Sequence, residues 1–441
     1  MKQNQQARDI IVIGFALFAM FFGASNLIFP PYVGVTTGTS WFSGYFFYFL
    51  ADAGLAVLGV IAMVRVDGKI FRITDVIGRV PSVILASAVI MCVGPGVTIP
   101  RTGAVSFELS IAPILGLHSD SKLALAIFTV IFFGIVIALT IRPSKVVDIV
   151  GKFLTPVLVV ALLGLIIAGS ISPKGEMLPP ATDTVIRDGI YNGYQTMDLL
   201  GALFFAIIII TTLYDKGYKD EKQSTQMAIM ASIVAGILLF VVYGGLAYLG
   251  ATTGSVWREL ILSGQLNQAG LLLNITEAIL GRAGVIILGI AVAFACLTTA
   301  IGCTSATAEY FSALLRGKVS YQKLVVIICV VSALICNLGL SQIIAISGPI
   351  LVLLLPVTAW LVATSFLRDK VKGLLPYRLS ALVTFIISFI ALLCNSFGVQ
   401  SFVWVHQVLP LDDYGFGWIL PAILAFLIGW ALSEKKVPDP E

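Results

Sequence analysis

Apolar residues along this chain gather into runs of roughly 18–25, separated by charged clusters or by Pro and Gly. That spacing predicts helices long enough to cross a bilayer rather than the shorter alternating strands of a barrel. The runs lie near 10–32, 41–64, 82–111, 123–141, 149–170, 190–214, 226–250, 284–310, 323–339, 342–366, 378–396 and 415–433, about twelve in all. The third run is long, and the VGPG at 93–96 predicts an irregular or tilted helix there. The connection 251–283, carrying Trp257, Arg258, Glu259 and Asn274, is amphipathic and predicts short helices folded back over one mouth. Residues 1–9 are polar and basic, as in a secretory signal, but the many later runs make the first a retained span.

Two of these runs are interrupted where a membrane helix should be most apolar. FFGASNLIFPPYVG (21–34) places Gly23, Ser25 and Asn26 mid-run, with Pro30 and Pro31 close behind. Glycine lowers helix stability, Ser and Asn compete for backbone groups, and proline lacks the N–H that continues a helix. Irregular backbone at membrane depth is tolerated only inside protein or beside a cavity. A simple packing kink is the alternative, since Gly and Ser let helices approach. The sixth run repeats the anomaly in YNGYQTMDLLGALFF (191–205), with Gln195, Thr196, Asp198 and Gly201. Runs 1 and 6 each open a five-helix unit if the chain divides as 1–5 and 6–10. Paired discontinuities of this kind predict an inverted-repeat transporter with its site near the bilayer midplane. Freed carbonyls then face a cation and freed amides a carboxylate. The eighth run, AFACLTTAIGCTSATAEYF (293–311), adds Thr298 and Thr299, whose oxygens suit a hard cation such as Na⁺. Such hydroxyls also commonly bond back to their own helix.

Composition agrees with the pattern. Hydrophobic residues make up 59% and charged residues 11%, with a mean hydropathy of +1.02, far from the composition of a soluble domain. By count about 21 of the 27 Lys and Arg fall on the side of the chain termini, in loops bearing Arg65, Lys69, Arg72, Arg79, Arg142, Lys145, Lys152, Lys216, Lys219 and their counterparts. The positive-inside rule makes that side cytoplasmic and puts both termini there, as an even number of spans requires. The net charge of +4 arises from those loops and asks for no nucleic-acid partner. The six cysteines lie in apolar runs without ligand spacing, and two histidines, His118 and His406, offer no metal cluster.

Charges inside the spans are few, and each costs at least about 2.5–3.5 kcal/mol at mid-bilayer. Asp198 lies in the second interruption, where a carboxylate meets an ammonium or a coupling cation. Asp52 lies in span 2. Arg101 and Glu108, seven residues apart on span 3, share a helix face; they line a cavity, couple or gate, or form an internal salt bridge. Glu309, at the end of span 8, reads as structural.

GASNLIFPP, YQTMDLLGAL and CLTTAIGCTSA closely resemble the bacterial branched-chain amino acid carriers, cation-coupled importers of leucine, isoleucine and valine, over essentially the whole chain. More distantly, FFGASNLIFP and ACLTTA are similar to the first and eighth helices of neurotransmitter:sodium symporters. The resemblance implies an all-α integral membrane protein of LeuT-type fold, a 5+5 inverted repeat with discontinuous helices 1 and 6 and two peripheral helices. Its parts would be 1–170, 171–366 (with 251–283 as an extracellular re-entrant segment) and 367–441. It implies a sodium site made of main-chain carbonyls of Ala19, Phe22 and Ala295 with the hydroxyls of Thr298 and Thr299. The substrate carboxylate would sit on amides near Gly23, Ala24 and Ser25, and the ammonium near the Phe21 carbonyl and Thr196 to Leu199, including Asp198. In the distant relatives the asparagine matching Asn26 binds a second sodium, and an arginine three residues on closes the outer mouth. Here that arginine is missing, so another pair must close it.

No cofactor is implied beyond Na⁺ as coupling ion. The expected setting is the bacterial inner membrane. A proton-coupled carrier of the same fold for other small neutral amino acids, with Asp198 or Asp52 titrating, is the nearest rival. An integral-membrane enzyme lacks clustered loop carboxylates or a nucleophile–base arrangement here, and a channel lacks a repeated filter sequence.

Overall fold

The computed structural model describes residues 2–119, 121–141, 146–218 and 220–434, and only the backbone of 2–4, 146–158, 221, 403 and 434. Arg142, Lys145, Lys219, Lys435 and Lys436, on which part of the charge count rests, lie outside these, as does the tail 435–441. Among the described residues all regular structure is helical. Eight helical stretches are long and apolar enough to cross a membrane, and Val159–Ile171, Tyr321–Cys336 and Ile419–Ser433 are shorter apolar helices.

The expected interruptions are present. The first span is a helix Lys2–Phe21, a break at Phe22 and Gly23, and a helix Ala24–Thr37. The sixth is Val185–Tyr194, a break at Gln195–Met197, and Asp198–Asp215. Span 3 is irregular where expected: a π-turn at Cys92–Gly96 separates Arg79–Met91 from Thr98–Ser106, with Gly94 non-helical. The segment after span 7 folds as Gly254–Leu262 and the start of Gln268–Leu314, which kinks at Gly281.

Pro30 and Pro31, which the expected run 10–32 contains, are helical, and the helix continues past them to Thr37 before it turns directly into span 2 at Gly38–Ser40. The cost falls on the preceding turn. Each proline lacks an N–H for the carbonyl four residues back, so Asn26 and Leu27 carry carbonyls without their usual donors. The prolines thus extend the irregular backbone instead of closing it.

Loops fall into two groups that alternate with the spans. At one end, Lys216 after span 6 meets Asp9 at 2.6 Å, with Tyr218 donating to the same carboxylate at 2.8 Å, and Arg65 after span 2 meets Asp369 at 3.5 Å. At the other, Arg258 donates to the carbonyls of Val35, Leu178 and Pro179, strapping 178–179 over the end of Ala24–Thr37.

Both halves of span 1 pack on the long helix Glu221–Ala251, and both halves of span 6 pack on span 2. The first of these crossings is very close. A methyl group built on Gly34 overlaps the Ala247 carbonyl, and one on Gly250 overlaps the Pro31 carbonyl. Small residues permit such approach where lipid supplies no hydrophobic drive. Gly34→Ala is therefore expected to cost about 1–3 kcal/mol by overpacking. A melting curve of purified protein in detergent measures it, with Gly134→Ala, which meets nothing within 4 Å, as the unaffected control.

Candidate functional site

Residues of both breaks line one chamber. At the first, Gly23 is extended (φ −105°, ψ −171°), its N–H donating to the Phe21 carbonyl at 2.8 Å and to Asn26 Oδ1 at 3.3 Å. Asn26 thus caps the new helix from its first turn, while the N–H groups of Ala24 and Ser25 have no intrahelical acceptor. At the second, Met197 adopts a left-handed backbone (φ 64°, ψ 19°) and Asp198 opens the next helix. A methionine there is strained, and such outliers gather at ligand sites.

The chamber has about 40 Å³ of room for water-molecule centres. It is a tight space, suited to a small solute. Of the residues singled out from the sequence, Phe21, Gly23, Ala24, Ser25, Asn26, Arg101, Thr196, Asp198, Gly201 and Thr299 line it. Nothing in the residue pattern marks Met20, Val93, Thr98, Thr102, Met197, Phe205 or Cys303, which also form the wall. Most are apolar or hydroxyl-bearing residues indistinguishable from ordinary packing.

Its negative side is a connected cluster. Asn26 Nδ2 lies 2.9 Å from Asp198 Oδ2, 3.4 Å from Asp52 Oδ2 and 2.6 Å from the Tyr243 hydroxyl. Thr196 Oγ1 donates to Asp52 Oδ1 at 2.7 Å and to the Gly193 carbonyl at 2.6 Å. Asp52 sits in a π-turn, Leu50–Gly54, behind the chamber wall. Two neighbouring carboxylates in a low-dielectric interior call for a proton or a cation between them.

Its positive side is Arg101, 1% exposed. The guanidinium donates from Nη1 to Ser25 Oγ at 2.7 Å and to the Gln195 carbonyl at 2.5 Å, and from Nη2 to Ser347 Oγ at 3.0 Å. It stands 6.0 Å from the centre of the Phe29 ring.

Glu108 is not beside Arg101: it accepts from Asn267 Nδ2 at 2.8 Å, and it is not part of the chamber wall. Seven residues put Glu108 about two turns, roughly 10 Å, along the helix from Arg101, where it enters a π-turn at Phe107–Ile111.

The remaining candidates stand off the wall. Leu199 faces span 2, where a methyl group on Gly59 would meet its side chain at 3.0 Å. The Phe22 ring stacks on Phe18 and Tyr243. Thr298 Oγ1 donates to the carbonyls of Phe294 at 3.1 Å and Ala295 at 2.9 Å. Ala19 and Ala295 are half-buried beside the wall. Glu309 accepts from Ser305 at 3.2 Å. All six cysteines are free thiols, and five are buried. Among the described residues no cluster of three or more His, Cys, Asp or Glu could hold a metal.

Comparison with solved structures places this architecture. MHP1, a nucleobase-cation-symport-1 family transporter in a closed conformation, superposes with a TM-score of 0.61, covering 97% of this chain and 92% of that one at 13% identity. MhsT in complex with L-phenylalanine gives 0.56, covering 95% and 98% at 16% identity. At such identities the likeness shows the fold, which is LeuT-type. Sequence relatives are nearer. The branched-chain amino acid transport system 2 carrier protein of Pseudomonas aeruginosa is 37% identical over 426 residues, 95% of each chain. The branched-chain amino acid permease BrnQ of Bacillus subtilis is 36% identical over 445 residues, 98% of each chain. A family model described as branched-chain amino acid transport protein matches residues 6–436. Relatives named as carriers and permeases make this multi-pass membrane protein a transporter and not an enzyme. With broken helices around one chamber and relatives matched almost end to end, the chain belongs to the branched-chain amino acid transport protein family.

Proposed function

We propose that the protein is a sodium-coupled symporter that imports leucine, isoleucine and valine by alternating access. The observation that carries this is the pairing of two helix breaks at one chamber whose wall also includes Thr299. The substrate carboxylate meets the free amides of Ala24 and Ser25, and its ammonium meets the Phe21 carbonyl and Asp198 beside Thr196. Val93, Met197 and Phe205 supply apolar surface for a branched side chain. One methylene is worth only about 1–3 kcal/mol in such a pocket, so the three substrates overlap. Na⁺ is held by the Ala19, Phe22 and Ala295 carbonyls with Thr298 and Thr299, bridging span 1 to span 8. It favours the outward-facing state only through its differential affinity for the two states.

In the same proposal, 1–170 and 171–366 are inverted repeats and 367–441 is peripheral. The reciprocal packing of span 1 on span 7 and span 6 on span 2 supports that division. The side bearing Lys216 and Arg65 is cytoplasmic in the inner membrane.

Uptake of labelled leucine into proteoliposomes, with Na⁺ replaced by choline at fixed pH, tests the coupling. Accumulation is expected to stop. Undiminished uptake removes sodium from the mechanism, and the carboxylates of Asp52 and Asp198 around Asn26 then favour proton coupling. An imposed pH gradient in choline would drive uptake in that case.

A further inference from the structure

We propose that Arg101 is the charged half of the carboxylate site and reads the α-carboxylate of the substrate directly. This inference rests on the reading of the chamber as a neutral amino acid site. Arg101 lines the chamber, is 1% exposed, and has only neutral hydrogen-bond partners. Among the described residues no carboxylate lies within ion-pair distance of it. A buried guanidinium without a counter-charge is costly, and an anion entering the chamber relieves that cost.

The donor inventory points the same way. A guanidinium has five N–H bonds. Two on Nη1 and one on Nη2 have acceptors, whereas buried Nε has none. The Nε–H and the second Nη2–H remain, and a carboxylate can take two guanidinium N–H bonds at once. Ser25 joins this side chain to the backbone site: its Oγ accepts from Arg101 at 2.7 Å, while its own N–H opens the helix Ala24–Thr37. Asp198 lines the same chamber. A positive and a negative charge lining one chamber, not paired with each other, complement a zwitterion better than an amine, a carboxylic acid or a neutral solute.

The role is distinguishable from a structural one by comparing leucine with leucinol, which keeps the ammonium and side chain but lacks the carboxylate. Binding is measured on purified protein in saturating Na⁺, with gel filtration confirming the folded state. Wild type is expected to prefer leucine by about 100-fold or more. Arg101→Gln is expected to weaken leucine by about 100-fold and leave leucinol unchanged, collapsing the preference. Arg101→Lys, which keeps the charge and loses the fork, is expected to fall between.

Equal weakening of both ligands, or an undiminished preference in Arg101→Gln, overturns the assignment. So does wild type that binds leucinol as tightly as leucine, a result independent of how any variant folds. Wild type that binds none of leucine, isoleucine and valine overturns the reading of the function, and the carboxylate anchor with it.

Discussion

Asp198→Asn is expected to lower the initial rate of leucine uptake by about 100-fold or more while the protein stays folded. Asparagine has nearly the same shape, and its oxygen can still accept from Asn26 Nδ2, which lies 2.9 Å from Asp198. The change removes charge. Asp198 is the first residue of Asp198–Asp215 and lines the chamber together with Arg101. A substrate ammonium placed there loses its counter-charge, a carboxylate only 6% exposed. Truncating one partner of a buried charged pair costs about 2–5 kcal/mol, which is a factor of about 30 to several thousand. Initial-rate uptake in proteoliposomes, normalised to reconstituted protein, provides the measurement. Uptake near the wild-type rate would remove Asp198 from the substrate site and leave it a structural partner of Asn26.

The breaks were legible because Gly, Ser, Asn and Pro in a membrane run each work against helix, and a chain retains them only for a reason. Gly23 and Asn26 show this: one supplies the extended backbone and the other caps the helix Ala24–Thr37. Met197 could not be found in the same way. An unbranched apolar residue in a left-handed backbone carries no compositional mark, and only tertiary packing fixes it there. The π-turns at Leu50–Gly54 and Phe107–Ile111, unlike the one at Cys92–Gly96, were hidden for a related reason, since a single extra residue in a turn leaves the hydrophobic pattern intact; Asp52 sits in the first and Glu108 in the second. Pro30 and Pro31 are helical residues whose missing donors fall on Asn26 and Leu27, a second weakening of the same segment. The apolar wall, Val93 and Phe205 among it, is indistinguishable in sequence from ordinary core.

Thr298→Ala combined with Thr299→Ala is expected to raise the sodium concentration for half-maximal leucine uptake by about 10-fold or more. A hard cation is held by oxygen lone pairs, and two hydroxyl ligands are being deleted. The two threonines stand differently. Thr298 commits its hydroxyl proton to the Phe294 and Ala295 carbonyls, at 3.1 and 2.9 Å, an arrangement that fixes the rotamer and still leaves lone pairs for a cation. Thr299 lines the chamber. The single change Thr299→Ala should therefore move the sodium requirement further than Thr298→Ala. Because the substrate contacts lie on spans 1, 3 and 6, leucine affinity at saturating Na⁺ should change little in either. Sodium titrations of leucine uptake for the three variants separate these outcomes. A sodium response identical to wild type in the double variant would sink the assignment of span 8 to the ion. A fall in leucine affinity at saturating Na⁺ with no change in sodium requirement would instead place Thr299 against the substrate. The difference matters for coupling: an ion that bridges span 1 to span 8 acts on the conformational equilibrium, whereas a hydroxyl touching only the substrate acts on its affinity.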